Sequence, residues 1–136
     1  MKIKAKYRKK IEFYLINHDL ILKSKIGDQV KVKLPFRSKK FYRKKKYQEI
    51  NITEEDVLWA ECSKLVLDRI AYKSQIRTFY LAFVNGEEIT EVCDKIGIAK
   101  STYFEWIKLL MWLILVALAI KGIFKREDIT LIFDFN

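Results

Sequence analysis

Two amphipathic helical patterns meet at one glycine in the stretch NGEEITEVCDKIGIAKSTYFEWIKLL, residues 85–110. The turn dipeptide Asn85-Gly86 ends the preceding pattern, SQIRTFYLAFV. Ile89, Val92, Cys93 and Ile96 then recur at the helical period, so EEITEVCDKI is expected to be a helix with those residues inward. Gly97 supplies the positive φ that stops it. A short turn, Ile98 to Lys100, leads to a further helix from about Ser101, with Tyr103, Trp106, Ile107 and Leu110 inward. Three helices joined by such short turns must bury their apolar faces on one another, which directs the chain to a mainly α fold.

This is the layout of a helix-turn-helix. With Ile89 as the first position of a twenty-residue frame, the glycine falls ninth. Val92, Ile96, Ile98, Tyr103 and Trp106 take the fourth, eighth, tenth, fifteenth and eighteenth, and Cys93 fills the small fifth position. A plain helical hairpin used only for packing shares some of these spacings. In the helix-turn-helix the second helix lies in the major groove, ~12 Å wide. Its outward residues here are Ala99, Lys100, Ser101, Thr102, Phe104, Glu105 and Lys108. Lys100 and Lys108 can reach phosphate or guanine edges, Ser101 and Thr102 phosphate or bases, and Glu105 the cytosine amino group. The preceding helix is acidic, with Glu87, Glu88, Glu91 and Asp94, so it is expected to face away from DNA. Most of the affinity must therefore come from elsewhere in the chain.

The charge distribution shows where. Residues 1–50 hold 17 Lys/Arg against 4 Asp/Glu, whereas residues 51–136 hold 10 against 13. Such asymmetry points to a polyanionic partner. It peaks in KKFYRKKK, where Lys39, Lys40, Arg43, Lys44, Lys45 and Lys46 surround Phe41 and Tyr42. Like charges this dense resist burial, so a mobile basic arm is expected. Its cations suit backbone phosphates, and the aromatics suit either stacking on exposed bases or packing back on the fold.

Elsewhere the signals are structural. YRKKIEFYLINHDLIL carries Ile11, Tyr14, Leu15, His18 and Leu22 on one helical face, and Gly27 follows the expected helix. A lone histidine there reads as a core residue rather than a ligand. VKVKLPF alternates as a short strand or arm, with Pro35 keeping it off a sheet centre. Thr53 caps a helix that opens with Glu54, Glu55 and Asp56, carboxylates that suit its positive end rather than acid–base catalysis. Leu58, Cys62, Leu65, Val66 and Ile70 mark its expected inner face. The tail DITLIFDF alternates Ile129, Leu131, Phe133 and Phe135, and is expected to pair as a strand with Val30 to Phe36, bringing Asp134 near Lys31 or Lys33.

LLMWLILVALAI, Leu109 to Ile120, is 12 residues without a charge. A membrane span needs ~20 residues, so this run is expected to bury against its own domain and a second subunit. Cys62 and Cys93 lack CxxC spacing and His18 is the single histidine, so reduced thiols in a cytosolic protein and no metal site are expected. The apolar run after the charged N-terminus is broken by Glu12, Asn17, His18 and Asp19, unlike a signal peptide. No nucleophile is paired with a base and no glycine loop cradles phosphate, so neither catalysis nor a cofactor is expected.

FYLAFVNGEEITEVCDKIGIAKSTYFEWIKLL resembles the C-terminal segment of the ArpU/RinA-type regulators of late genes in bacteriophages and mobile elements. That segment is itself similar to the region-four helix-turn-helix of bacterial sigma factors. The resemblance covers about residues 65–112, and the first helix is similar to the family's short N-terminal helix. It implies DNA contacts at Lys100, Ser101, Thr102, Glu105 and Lys108, and activation of a promoter with host RNA polymerase in the bacterial cytoplasm. Ala99 stands in place of the usual capping serine, so the cap is expected to shift to Ser101 or Thr102. Glu105 replaces a common arginine, and the apolar continuation past Trp112 departs from the family.

The expected architecture is mainly α. Residues 1–50 form an N-terminal helix and basic arm, and a short two-stranded β element joins Val30–Phe36 to the tail. Residues 51–136 form a helical DNA-binding domain, with the helix-turn-helix at about 87–110 and an apolar helix over 109–124. The expected function is a sequence-specific transcriptional regulator, homodimeric through Leu109 to Ile120, with double-stranded DNA as partner and no membrane. The alternatives are a phage small terminase-like DNA-binding subunit, which would form rings, and an RNA-binding antiterminator using the arm on single strands.

Overall fold

The structure, a computed structural model, describes residues 2–34, 47–70 and 74–134. It is mainly helical with small antiparallel β elements. In chain order the elements are β1 (Lys2–Ile3), α1 (Ala5–Lys23), β2 (Gln29–Lys33), β3 (Tyr47–Asn51), α2 (Glu54–Ile70), α3 (Ser74–Val84), α4 (Ile89–Ile96) and α5 (Lys100–Ile120). A 3₁₀ turn (Arg126–Asp128), α6 (Ile129–Ile132) and β4 (Phe133–Asp134) complete the chain.

One buried cluster runs through the fold. Ile11, Leu15 and Ile21 of α1 meet Trp59 of α2, Phe79 and Phe83 of α3, Val92 of α4 and Leu110, Ile114 and Leu118 of α5. Helices α1 and α2 form the most extensive seam between helices. The Tyr14 hydroxyl donates to Asp56 Oδ1 at 2.6 Å, and Lys10 Nζ sits 2.8 Å from Glu55 and 4.6 Å from the centroid of Trp59. Asp56 also closes the start of α2: its amide donates to Thr53 Oγ1, while the Thr53 amide and hydroxyl donate to Asp56 Oδ2. The expected Thr53 cap is therefore present, and the acidic first turn does structural work. His18 is buried with Nδ1 2.7 Å from the Leu15 carbonyl, as a core histidine should be.

Two inner faces and one pair of helix ends differ from the periodicity. At the end of α1 it is Ile21 that is fully buried, with Leu22 only half-buried. In α2 Leu58 and Leu65 are exposed, while Trp59, Cys62 and Val66 are buried. The face rotates because the Trp59 indole, the largest apolar group on the helix, packs against Tyr14 and the edge of Phe124. The apolar helix begins earlier and ends sooner than 109–124, since α5 runs unbroken from Lys100 to Ile120. Gly122 at φ 76° then reverses the chain, its N–H on the Ala119 carbonyl and that of Ile123 on Leu118.

The β pairings also differ from expectation. β2 pairs with β3, Lys31 opposite Glu49 and Lys33 opposite Tyr47. The tail pairs with β1 instead, Lys2 opposite Asp134 and Ile3 opposite Phe133, so Asp134 lies by neither Lys31 nor Lys33. A hairpin partner close in sequence costs less chain entropy than a tail a hundred residues away. The tail is held by the Phe133 ring stacked on Trp112 at 4.9 Å and by buried Ile132. Among the described residues of the expected tail strand, Phe133–Asp134 is extended and Ile129–Ile132 turns as α6, while Phe135 lies outside the described residues.

Candidate nucleic-acid interface

Helix α3 supports the interface through rings. Phe79 meets Tyr103 at 5.1 Å and Trp106 at 5.0 Å, both edge-on, and so fixes the first half of α5. The buried Tyr80 points its hydroxyl at the Trp106 carbonyl, 3.4 Å away, and burial pushes its pKa up to about 12. Val92 and Cys93 of α4 are buried, while Ile89, Ile96 and Ile98 pack partly buried against the core. The Cys93 carbonyl accepts from both Gly97 (2.8 Å) and Ile98 (3.0 Å). Gly97 has φ 78°, and a Cβ there would meet nothing within 4 Å. The glycine is therefore required by the backbone conformation and not by crowding.

The turn is shorter than expected: Ile98 and Ala99 alone separate Gly97 from α5. The cap does not shift. Ala99 is itself the N-cap, with no side-chain cap bond, and its carbonyl accepts from Tyr103 at 3.0 Å. Lys100, Ser101, Glu105 and Lys108 are exposed and Thr102 is half-buried. Residues 101, 105 and 108 share one helical face, so the structure brings together most of the positions expected to read bases. Exposed Phe104 lies among them, its ring edge-on to Tyr103. Glu91 and Asp94 of α4 are exposed, and Glu87 lies 3.8 Å from Lys95 Nζ.

Lys39, Lys40, Arg43, Lys44, Lys45 and Lys46, expected to grip backbone phosphates, lie outside the described residues. Their anchor is described. In sequence they fall between β2 and β3, and those two strands pair antiparallel as a hairpin. Buried Asn17 clamps the hairpin to α1: its amide group donates to the carbonyls of Phe13 and Lys33, and its Oδ1 accepts from the Lys33 amide. In sequence Asn17 reads only as an interruption of an apolar face.

Two further cations were missed. Lys2 and Arg8 line a cleft together with Phe104 and Lys108 of α5. Nothing local in sequence joins residues 2 and 8 to residue 108.

The outer face of the second half of α5 is apolar. Leu109 is 53% exposed, Val116 48% and Ile120 80%, with Leu113 half-buried between them. The spacing 109, 113, 116, 120 alternates four and three residues, as in a coiled-coil seam. The 12-residue limit drawn from the sequence does not hold, because α5 as a whole is long and apolar enough to cross a membrane by length and composition. Its other face, including Leu110, Ile114 and Leu118, is buried in the protein core.

Cys62 and Cys93 are free and buried, and burial pushes both thiols up in pKa, against the nearby cations Lys121 and Lys100 respectively. Such thiols are poor nucleophiles at neutral pH. Among the described residues no group of three or more His, Cys, Asp and Glu could hold a metal ion. Comparison with protein-family models, curated proteins and solved structures found no match to this chain.

Proposed function

We propose that the chain is a sequence-specific DNA-binding transcriptional regulator of the ArpU/RinA type, acting on phage or mobile-element genes in the bacterial cytoplasm. One observation carries this reading: Lys100, Ser101, Glu105 and Lys108 are exposed on a helix held rigidly behind a two-residue turn by Gly97 and the Phe79 rings. A major groove accepts such a helix, and these side chains match base edges and phosphates. The basic segment between β2 and β3 in sequence supplies sequence-independent affinity. From Arg8, which lines the same cleft as Lys108, to Asn17 at β2 is roughly 14 Å along α1 at ~1.5 Å per residue. That is about one major-groove width, so the hairpin is suited to flanking phosphates. Two copies join along Leu109, Leu113, Val116 and Ile120, which removes the apolar stripe from water and duplicates the reading helix. Host RNA polymerase is the proposed further partner.

Selection from a random duplex DNA pool at physiological salt tests this directly. A repeated half-site is the expected product, with spacing near a multiple of ~34 Å. Binding without enrichment would remove base reading, and tighter binding to single-stranded RNA would favour the antiterminator. A ring-sized oligomer in native mass spectrometry would favour the terminase-like subunit, and recovery only in detergent would assign the stripe to lipid. Replacing Lys44, Lys45 and Lys46 with Ala should weaken all sequences alike and flatten the salt slope by up to ~0.9 per lost phosphate contact.

A further inference from the structure

The cleft beside Lys108 has a composition that DNA contact does not explain. Its volume is about 400 Å³, within the ~300–1,000 Å³ typical of small-molecule sites. Its floor is apolar, built from the buried side chains Phe83, Tyr103, Ile107 and Met111. Its rim carries Lys2, Arg8 and Lys108, with Glu12 as the one carboxylate. Phe104, 56% exposed, forms part of the wall. A phosphate of a nucleic acid could use the rim but not the floor. A neutral apolar molecule could use the floor but would leave the excess positive charge unmatched. A ligand that uses both has an apolar body and a single anionic head.

We infer that this cleft binds a small amphipathic monoanion, such as a carboxylate on a hydrocarbon chain or ring, with its body on the Ile107–Met111 floor and its head between Arg8 and Lys108. The bound head engages Lys108, and the ligand covers Phe104, both on the outward face of α5. Occupation therefore competes with DNA, a consequence that rests on the function proposed above.

Decanoate and decanol are suitable probes, because they share a chain and differ in charge. Calorimetric titration of the full chain, below micelle-forming concentrations, should show saturable decanoate binding at about one per chain, with decanol about tenfold weaker or more. Replacing both Arg8 and Lys108 with Gln should bring decanoate to the level of decanol. Phe104→Glu, at an exposed position that leaves the core intact, should abolish decanoate binding through like-charge repulsion. Absence of saturable binding, equal affinity for both probes, or an unaffected Phe104→Glu variant would overturn the site. The DNA arm is read separately: decanoate should weaken binding of a mixed-sequence duplex about threefold or more. If decanoate binds and the duplex does not, the DNA reading falls and the cleft stands. If both bind without influencing each other, the competition is wrong.

Discussion

The two halves of α5 share one unbroken backbone and one continuous buried face, yet they present opposite surfaces. Up to Lys108 the outward residues are Lys100, Ser101, Glu105 and Lys108, around one exposed ring, Phe104. From residue 109 onward they are Leu109, Val116 and Ile120. The inner face does not change: Tyr103, Ile107, Leu110, Ile114 and Leu118 follow one another into the core. A helix so built can fix the geometry of two surfaces to each other without a joint. The difference teaches that the apolar run is one face of core and one face of exposed hydrocarbon, and that only the second asks for a partner.

The sharpest way to break this comparison is to truncate one face at a time. Ile114→Ala, on the inner face, should cost about 2–5 kcal/mol in urea unfolding of the chain. Val116→Ala, two residues on but outward, should change monomer stability by no more than about 0.5 kcal/mol. Equal losses would mean that the outer face is not free. For the polar half, Lys100→Ala and Glu105→Gln should each alter preference at one or two base pairs by ~1–3 kcal/mol in competition binding, with little change in unfolding midpoint. In the apolar half, Val116→Glu with Ile120→Glu should convert the proposed dimer to a monomer in analytical ultracentrifugation while the helical signal persists. A dimer that survives would move the seam elsewhere.

The entry to the polar half is sensitive to backbone conformation. Gly97→Ala should destabilise by ~1–2 kcal/mol, through φ alone, since nothing lies within 4 Å of the added methyl. Gly97→Asn should lose less, because Asn tolerates that conformation better. The smallest effect is in pH. Tyr80, whose hydroxyl points at the Trp106 carbonyl in the polar half, is raised from 10.0 to about 12 by burial. The folded chain keeps that proton where the unfolded chain releases it. Its contribution to stability is therefore complete below pH 10 and is lost as pH rises from 10 towards 12. Ultraviolet titration should show one fewer late-ionising tyrosine in Tyr80→Phe, with Tyr14, which burial and Asp56 hold up further still, remaining.

Much of the helix-turn-helix was legible because its signals are local. A glycine with positive φ, a period of 3.6 and a small residue at Cys93 lie within one short stretch, and each reports on its own neighbours. The same local rules mislead where faces compete. Leu58 and Leu65 have the right spacing for burial, but Trp59 brings a larger apolar surface and rotates α2 so that they face water. Strand β3 was missed because Ile50 is the one residue of it packed against the core, Tyr47 being exposed, and five residues with one such mark show no alternation.

By itself the sequence determined the mainly helical class, the turn at Gly97, the cap at Thr53 and the outward positions of α5, since all follow from short-range sterics and periodicity. It also determined that positive charge gathers in the first third. Tertiary structure alone decided the closure of β1 on β4, the Asn17 clamp on the hairpin, the continuity of α5 and the meeting of Lys2 and Arg8 with Lys108. These depend on which buried surfaces fit together across the chain, a property of the packed core as a whole that no local pattern encodes.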